Sequence, residues 1–313
     1  MSDDGSGRVM GKDLVFHIGY HKTATTWMQG LFFVPAHGFR QLANHREVFA
    51  HIVAPHGLLF DPRPMQTLLA ERMAAVADGE VPIVSSEILS GHPFHGGREN
   101  EVYAQRIKAI APDARILVSI RAQLRILPSV YMQYVLRGGT MPYDRFFEGT
   151  DEPGYFGFSP AHFEYDRLIA LYRDLFGADR VHVLTQESLR KDMAGAAARI
   201  AAELGADRYA GLTPEARRVY APSYPEYAAP VLRRVNHVQR STVNPWPIVS
   251  FGYTPAGLYR VAGWALRQPP FSTLFGHRKP VSDYIRKRFT GHFAASNARL
   301  SAMVPGLDLS EYA

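Results

Sequence analysis

Residues 19–27, Gly-Tyr-His-Lys-Thr-Ala-Thr-Thr-Trp, have the composition of an anion-binding loop. They follow a short apolar run of strand type, Leu14 to Ile18, and lead into a helical pattern that begins near Thr25. A strand that turns through small residues into a helix directs several backbone N–H groups and the positive end of the helix dipole at one point. Lys22 adds a point charge, and hydroxyl donors come from Thr23, Thr25 and Thr26. The segment therefore predicts a site for a phosphate or sulfate group.

This loop differs from the Walker A loop of nucleoside triphosphatases. A Walker A loop needs a second glycine directly before the lysine, whereas here Lys22 precedes the threonine pair and the second glycine is missing. No apolar strand ends in an obvious Mg²⁺-binding aspartate, and no His-Glu-x-x-His or similar spacing occurs. We therefore predict an anion site and no catalytic metal.

A second candidate anion-binding pair lies further along the chain. The predicted strand Arg115 to Ile120 is followed directly by Arg121, and Ser129 comes eight residues later, near a helix start. Arginine presents a planar fork of donors to a phosphate, and a serine hydroxyl adds a neutral donor. Each residue alone would more often be structural, but the pair after such a loop indicates a second phosphate site.

Together these two segments resemble the sulfotransferases that use 3′-phosphoadenosine 5′-phosphosulfate (PAPS). The 5′-phosphosulfate loop of that family typically reads Tyr-Pro-Lys-[Ser/Thr]-Gly-Thr-Thr-Trp, and residues 20–27 follow it here. Its 3′-phosphate clamp is an arginine at a strand end and a serine eight residues later, often with a tyrosine two further on, as in Arg121, Ser129 and Tyr131. The resemblance covers residues 13–205 well and 278–300 loosely. It implies a P-loop-like sulfotransferase fold and an enzyme that transfers a sulfuryl group.

Two residues depart from the family loop. His21 stands where the family has proline, and Ala24 stands where it has glycine. Because alanine favours ordinary backbone angles, we expect such angles at Ala24. A left-handed conformation at this position would count against the resemblance.

The resemblance also implies a role for each residue of the donor site. The 5′-phosphosulfate would bind to the loop residues His21, Lys22, Thr23, Ala24, Thr25, Thr26 and Trp27, and the 3′-phosphate would bind to Arg121 and Ser129. Within the loop, Lys22 would neutralise charge on the oxygen that leaves, and Trp27 would flank the adenine. Arg278 and Lys279 are similar to a late basic segment that closes over the 3′-phosphate, although a solvated basic turn explains them equally well.

A general base must take the proton of the acceptor hydroxyl. Glu87 is our first choice because it follows the predicted strand Val81 to Ser86, at the sheet edge that holds the loop. Glu47 is the competitor, since it falls 25 residues after Lys22, roughly where glycan and tyrosyl sulfotransferases carry a glutamate. Three histidines also stay open as the base, namely His21, His92 and His95.

Strands alternate with helices along the first two thirds of the chain. This order predicts an α/β fold with a central parallel sheet flanked by helices, and a ligand at the carboxyl ends of the strands. Four strands are expected, near residues 14–18, 81–86, 115–120 and 180–184. Helices are expected near residues 25–31, 68–76, 101–111, 127–136, 165–176 and 194–204, and helical spacing returns at 280–300.

Composition and length limit the class of protein. The chain has 313 residues, 46% of them hydrophobic, which is enough for a sizeable core. We predict a leader at 1–12 that is no signal peptide, followed by a single domain at 13–313. The chain has no cysteine, so disulfides, thiolate metal sites and cysteine nucleophiles are excluded. No apolar run has membrane-spanning length, and we expect a cytoplasmic protein.

The acceptor side is less defined. We expect residues 206–275, rich in proline, tyrosine and arginine, to form a helical or irregular C-terminal elaboration over the acceptor. Its aromatic residues could stack on a sugar or ring, could lie at a membrane interface or could be core; they are Tyr220, Tyr224, Tyr227, Trp246, Phe251 and Tyr253. A small-molecule, glycan or glycolipid acceptor is expected, with preference for a glycan or glycolipid hydroxyl because the base is a glutamate.

Two other functions stay open. The first is a P-loop-type kinase that uses ATP, and the second is a non-enzymatic nucleotide-binding protein. A net charge of +6 without an arginine-rich run argues against a nucleic-acid partner. Peripheral membrane contact and the oligomeric state are not decided by the sequence.

Overall fold

The structure of the protein is a computed structural model that describes residues 14–153, 155–218 and 224–312. The predicted leader at 1–12 and Tyr220 lie outside the described residues.

A five-stranded parallel sheet forms the centre of the fold, in the strand order β2-β3-β1-β4-β7. Its strands are β1 (Val15–Gly19), β2 (Phe39–Ala43), β3 (Val81–Ser85), β4 (Arg115–Ile120) and β7 (Val181–Thr185). A separate two-stranded antiparallel ladder consists of β5 (Asp151–Glu152) and β6 (Tyr155–Phe156).

Helices of varied length cover the sheet and form the C-terminal part of the chain. They are α1 (Thr25–Trp27), α2 (His45–Val48), α3 (Arg63–Met73), α4 (Asn100–Ile110), α5 (Gln123–Leu136), α6 (Tyr143–Glu148), α7 (Tyr165–Phe176), α8 (Gln186–Lys191), α9 (Met193–Glu203), α10 (Ala229–Val235), α11 (Gly257–Arg267), α12 (Phe271–Phe275), α13 (Pro280–Phe289) and α14 (Ala294–Met303). The predicted α/β fold, with a central parallel sheet flanked by helices and a helical C-terminal elaboration, is confirmed. None of the described helices combines the length and the apolar character that a membrane span requires.

The sheet is buried on both faces, as a parallel sheet requires. Phe16 and Ile18 of β1 belong to a large hydrophobic cluster on one face, and Val15 belongs to a second cluster on the other. All five residues of β1 are buried. This explains why the central strands appear in the sequence as short, almost continuous apolar runs.

The order of the strands places a topological switch point between β1 and β4. From β1 the chain crosses to β2 and returns to β3, on one side of β1, whereas β4 and β7 lie on the other side. The turns that leave β1 and β4 therefore diverge, which opens a crevice at the carboxyl ends of these strands. The Gly19–Trp27 segment and Arg121 lie at this crevice.

The structure adds two features that the sequence did not indicate. The edge strand β2 was missed because Arg40 and Gln41 interrupt its apolar pattern, and both side chains are at least partly exposed. The helix after the loop is also less regular than expected, because α1 is followed at once by a π-helical turn, Met28–Phe32.

Candidate functional site

The loop after β1 closes tightly on the neighbouring strand. The backbone N–H of Tyr20 donates to the carbonyl of Ser119 on β4 at 2.9 Å, so the ladder extends one residue past β1. A Cβ atom on Gly19 would lie 2.7 Å from the Ser119 hydroxyl and closer still to Thr25. Glycine is therefore required at this position, which holds the loop against the crevice.

A buried polar network supports the loop from below. His17 of β1 pairs with the hydroxyl of Ser85 on β3 at 2.7 Å and with that of Ser119 on β4 at 3.0 Å. The Thr23 hydroxyl lies 2.8 Å from Ser119 and donates to the Tyr20 carbonyl at 2.7 Å. Thr23 is therefore part of the support of the loop, and its side chain is fully buried.

The loop backbone has two residues in the left-handed region. Lys22 has φ 72° and Ala24 has φ 70°. The expectation of ordinary angles at Ala24 is therefore wrong, because the chain turns sharply here before α1 begins. A left-handed conformation costs a residue other than glycine about 1–2 kcal/mol. By the criterion given above, the left-handed Ala24 counts against the resemblance, whereas the glycine that the family loop has at this position adopts this conformation without that cost.

The two predicted anion-binding segments meet in the structure. Nη1 of Arg121 donates to the Lys22 carbonyl at 3.2 Å and to the Ser129 hydroxyl at 3.3 Å. The Nε atom of Arg121 is buried and has no partner among the described residues. Arg121 therefore joins the loop to Ser129 and keeps one buried donor unsatisfied.

A hydrogen-bonded frame fixes the backbone of Arg121. Its carbonyl accepts a hydrogen bond from the Tyr165 hydroxyl at 2.6 Å. The buried carboxylate of Glu187 accepts from the N–H of Ala122 at 3.2 Å and from the hydroxyl of Tyr312 at 2.9 Å. Glu187 thus holds the turn between β4 and α5.

Lys22 carries an exposed side chain whose amino group is partly desolvated by the surrounding protein. This desolvation and the nearby guanidinium groups of Arg121 and Arg137 lower the pKa of Lys22 below its ordinary value. The positive charge of Lys22 lies among other positive charges and is not fully neutralised. The cluster therefore attracts an anion.

Trp27 lies at the side of the loop with part of its surface exposed. Its ring stacks on Phe32, with centroids 5.3 Å apart, and its N–H donates to the carbonyl of Ala216 at 2.7 Å. Thr25 is buried at the start of α1, whereas Thr26 is exposed. Ala216 belongs to the 206–275 segment, which we expected to cover the acceptor. It contacts Trp27 of the loop instead.

A cavity of about 550 Å³ opens beside the loop. Its polar wall includes His21, His45, Glu87, His92, His95 and Arg137, and its apolar wall includes Phe49, Ile88, Phe94, Tyr134, Phe146 and Phe158. Thr242 and Val243 are the only residues of the 206–275 segment that line it, within the described part of the chain. Tyr224, Tyr227, Trp246, Phe251 and Tyr253 do not line this cavity, so the alternative that they stack on a ligand inside it is not supported.

Glu87 lies in this cavity directly after β3. Its carboxylate accepts a hydrogen bond from the Gln29 amide at 3.1 Å. Burial acts to raise the pKa of Glu87, but its own backbone N–H, Gln29 and the rings of His21 and His45 hold the pKa below the ordinary value. Glu87 is therefore an ionised carboxylate at neutral pH, which can accept a proton.

Two of the histidines that line the cavity with Glu87, His21 and His92, are neutral near pH 7. Burial lowers the pKa of His21 to about 4, although the nearby Glu87 carboxylate acts to raise it, and burial lowers the pKa of His92 to about 3. The Nε2 atom of His21 is buried and unpaired among the described residues, and its ring lies 5.8 Å from that of His92. These rings can exchange hydrogen bonds with a ligand without adding charge.

Glu47 does not line the cavity. It caps α2 through the Asn44 N–H at 2.8 Å, and its carboxylate accepts from Arg72 at 2.7 Å. The hydrogen bond from Arg72 is the main cause of the lowered pKa of Glu47. The sequence singled out both glutamates, and only Glu87 lies beside the loop.

Arg278 and Lys279 are not joined to the donor loop. Arg278 lies over the ring of Phe275 at 4.9 Å, and Lys279 directly precedes α13. Both are exposed, and neither donates a hydrogen bond to the loop or to Arg121 among the described residues.

Sequence reasoning did not find His45 or Arg137. Each reaches the cavity from a segment without a local motif, the start of α2 and the end of α5, so no pattern marked them. Among the described residues, no group of three or more His, Cys, Asp or Glu side chains could hold a metal ion.

No family model and no curated protein matches the chain. Among solved structures, it is similar to a sulfotransferase from Alicyclobacillus acidocaldarius, with 16% identity over 96% of this chain and 99% of that chain and a TM-score of 0.48. A mouse sulfotransferase complexed with PAP has 12% identity over 92% of this chain and 88% of its own, with a TM-score of 0.38.

A third similar structure is the sulfotransferase domain from the curacin biosynthetic pathway. It has 11% identity over 89% of this chain and 98% of its own, with a TM-score of 0.40.

Proposed function

We propose that the protein is a PAPS-dependent sulfotransferase that moves a sulfuryl group to a hydroxyl group of an acceptor. The observation that carries this proposal is the position of Arg121, whose Nη1 atom donates to both the Lys22 carbonyl and the Ser129 hydroxyl. One side chain thus connects two anion-binding segments at the switch point of the sheet. A donor with phosphate groups at both ends of a nucleoside would span these two segments.

The residues present fit such a donor. The loop offers backbone N–H groups, the Lys22 amino group and the Thr26 hydroxyl, and the clamp offers a guanidinium and the Ser129 hydroxyl. Arg121 keeps a buried Nε donor without a partner, which an anionic oxygen would satisfy. Trp27 has a partly exposed ring at the side of the loop, where a purine could pack.

The transfer needs positioning and charge stabilisation rather than a covalent enzyme intermediate. The oxygen of the acceptor hydroxyl forms a bond to sulfur while the bond from sulfur to the 5′-phosphate oxygen breaks. Charge develops on that phosphate oxygen, and Lys22 and the loop N–H groups stabilise it. The proton of the hydroxyl passes to the Glu87 carboxylate.

The assignment of Glu87 as the base rests on its location in the cavity and its ionised state. Glu47 is engaged by Arg72 and does not line the cavity. The same cavity combines apolar rings with hydrogen-bonding histidines, and this lining suits a glycan or glycolipid head group. We therefore propose an acceptor of this class.

A transfer assay tests the function. The protein is incubated with PAPS labelled in its sulfuryl group and with a fractionated polar and lipid extract, and labelled products are counted. We expect label in a hydroxyl-bearing product, and Glu87→Gln should lower its rate of formation about 10²–10⁴-fold. The matched Glu47→Gln variant should retain the rate.

Two outcomes would count against the proposal. Full activity in Glu87→Gln together with loss in Glu47→Gln would move the base to Glu47. Transfer of phosphate from ATP, with a strict requirement for Mg²⁺, would replace the sulfotransferase by a kinase.

A further inference from the structure

Residues 227–282 have an unusual charge distribution. This segment contains no aspartate or glutamate, whereas it contains six arginines and one lysine. The cationic residues are Arg233, Arg234, Arg240, Arg260, Arg267, Arg278 and Lys279. The acidic residues of the chain are therefore confined to the rest of the protein, and this segment is a basic surface.

The same segment exposes most of the large apolar side chains at the surface. Twelve of the 18 exposed large hydrophobic residues of the described chain lie within it. Trp246 is 83% exposed, Trp264 is 65% exposed and Ile248 is fully exposed. We call Val243, Trp246, Ile248, Val249, Phe251, Tyr253, Leu258, Val261, Trp264, Phe271 and Leu274 the apolar set. Such a concentration of exposed apolar side chains marks an interaction surface.

Helix α11 packs against the protein along one side and exposes apolar residues on the other. Its residues Tyr259 and Gly263 are buried against the protein, and a Cβ atom on Gly263 would overlap the ring of Tyr224. The opposite side carries Leu258, Val261 and Trp264, which are exposed. A helix that is apolar on both sides is normally buried on both sides. The outer face of α11 therefore has the character of a surface that is covered by an apolar medium.

Charge and aromatic residues indicate which medium this is. Arg240 lies over the ring of Trp246 at 5.3 Å, and Arg260 is exposed on α11, the helix that also exposes Leu258, Val261 and Trp264. Arg267 lies over the ring of Tyr224 at 4.1 Å. Tryptophan rings next to arginines are typical of surfaces that lie in the interface of an anionic bilayer. A fully exposed Ile248 can enter lipid without needing a matching pocket.

We propose that the apolar set and its flanking arginines bind the surface of an anionic lipid bilayer. Thr242 and Val243 belong to the same segment and line the cavity that contains Glu87. Membrane binding would therefore bring the cavity mouth to the lipid surface. This second step rests on the proposed function, and it narrows the acceptor to a hydroxyl of a lipid-linked head group.

Vesicle flotation tests the membrane surface. The full chain is mixed with vesicles of phosphatidylglycerol and phosphatidylcholine, or of phosphatidylcholine alone, and the bound fraction is measured together with tryptophan fluorescence. We expect binding to the anionic vesicles, a blue shift of the emission, and weaker binding at high salt. The double variant Ile248→Ser with Trp264→Ser should lower the partition coefficient at least about tenfold.

A matched control uses two exposed leucines outside the segment. Leu58 and Leu59 are 89% and 78% exposed, so the variant Leu58→Ser with Leu59→Ser also removes two highly exposed apolar side chains. It should bind vesicles as the parent does. The affinity for 3′-phosphoadenosine 5′-phosphate (PAP) should be equal in the parent and in both double variants. A failure of the membrane proposal is therefore distinguishable from a failure of the donor site.

Three results would overturn the proposal. The first is no binding of the parent chain to anionic vesicles, and the second is equal loss of binding in both double variants. The third is self-association in sedimentation velocity that Ile248→Ser with Trp264→Ser abolishes, without any vesicle binding. That last result would make the segment an interface between copies of this chain.

Discussion

The Gly19–Trp27 loop, our proposed donor site, and the cavity that contains Glu87, our proposed acceptor site, lie side by side, but their construction differs. The loop is a contiguous stretch of nine residues, Gly19–Trp27, whose shape depends on backbone N–H groups and on a buried network centred on His17. The cavity is lined by side chains from several distant segments, among them Phe49, Glu87, Arg137 and Thr242. The loop therefore depends on local backbone geometry, whereas the cavity depends on how separate elements pack.

This difference predicts that the two regions respond separately to mutation. Changes in the loop should affect the donor and the chemical step. Changes in the cavity lining, except at His21 and Glu87, should affect the binding of the acceptor and leave the donor site intact. Variants of the loop and of the cavity lining test whether the two regions act separately.

Apart from Glu87→Gln, the largest effect is expected at Lys22. Lys22→Ala removes the charge that we propose stabilises the leaving phosphate oxygen, so turnover should fall about 10²–10³-fold. The change should act on kcat more than on the KM for the acceptor, in steady-state assays. Lys287→Ala, which removes an exposed lysine from α13, serves as the control. Activity of Lys22→Ala within a few-fold of the parent would contradict this role.

On the acceptor side, Phe49 is the clearest position to change because it lines the cavity and is 48% exposed. Phe49→Ala should raise the KM for the acceptor about tenfold, since it removes an apolar contact. Leu58→Ala, an exposed apolar residue outside the cavity, should have no effect. If Phe49→Ala lowered the affinity for PAP by as much as it raises the KM for the acceptor, the two regions would not be separate.

Acid should destabilise the fold around the loop. Burial lowers the pKa of His17 and of His162 from 6.5 to about 3, as it lowers those of His21 and His92. The unfolded chain therefore binds more protons than the folded protein between these values. These histidines leave the free energy of unfolding unchanged above pH 6.5. As the pH falls from 6.5 toward 3, each of them lowers the free energy of unfolding by about 1.4 kcal/mol per pH unit.

Denaturant unfolding between pH 4 and 8 measures this slope. His162 has both ring nitrogens buried without partners among the described residues, so His162→Leu removes one titrating group without breaking a hydrogen bond. The variant should show a shallower loss of stability in acid than the parent. A slope unchanged by the substitution would contradict the burial of a neutral His162.

The smallest effect is expected at Ala24. Ala24→Gly relieves the left-handed conformation at φ 70° but increases the entropy of the unfolded chain. The free energy of unfolding should therefore change by no more than about 1 kcal/mol, in the stabilising direction, with donor affinity retained. A marked loss of donor affinity would mean that the side chain of Ala24, and not its backbone, shapes the loop.

Much of the sheet could be predicted because its central strands are short apolar runs. The bounds Arg115–Ile120 and Tyr165–Phe176 agree with the sequence pattern, since the strand is an almost continuous apolar run and the helix has a clear apolar period. β2 was missed because Arg40 and Gln41 reach solvent at the sheet edge. The distinction between local and long-range interactions explains this result as well.

The candidate site divides in the same way. The loop and the spacing of Arg121 and Ser129 are local patterns, and the contact between them follows from the parallel sheet. The sequence ranked Glu87 ahead of Glu47 but could not set Glu47 aside, because only the tertiary structure pairs Glu47 with Arg72. Arg137 and His45 carried no local signal, and the aromatic residues near 250 proved to be surface rather than cavity.

Calorimetric titration with 3′-phosphoadenosine 5′-phosphate, beside ADP, tests the central claim most directly. The parent chain should bind the bisphosphate tightly and ADP weakly, because ADP lacks the 3′-phosphate that Arg121 and Ser129 would hold. Arg121→Ala should lose this preference, whereas Arg46→Ala, an exposed arginine on α2, should keep it. Equal binding of ADP, or no binding of either nucleotide, would contradict the assignment of the donor site.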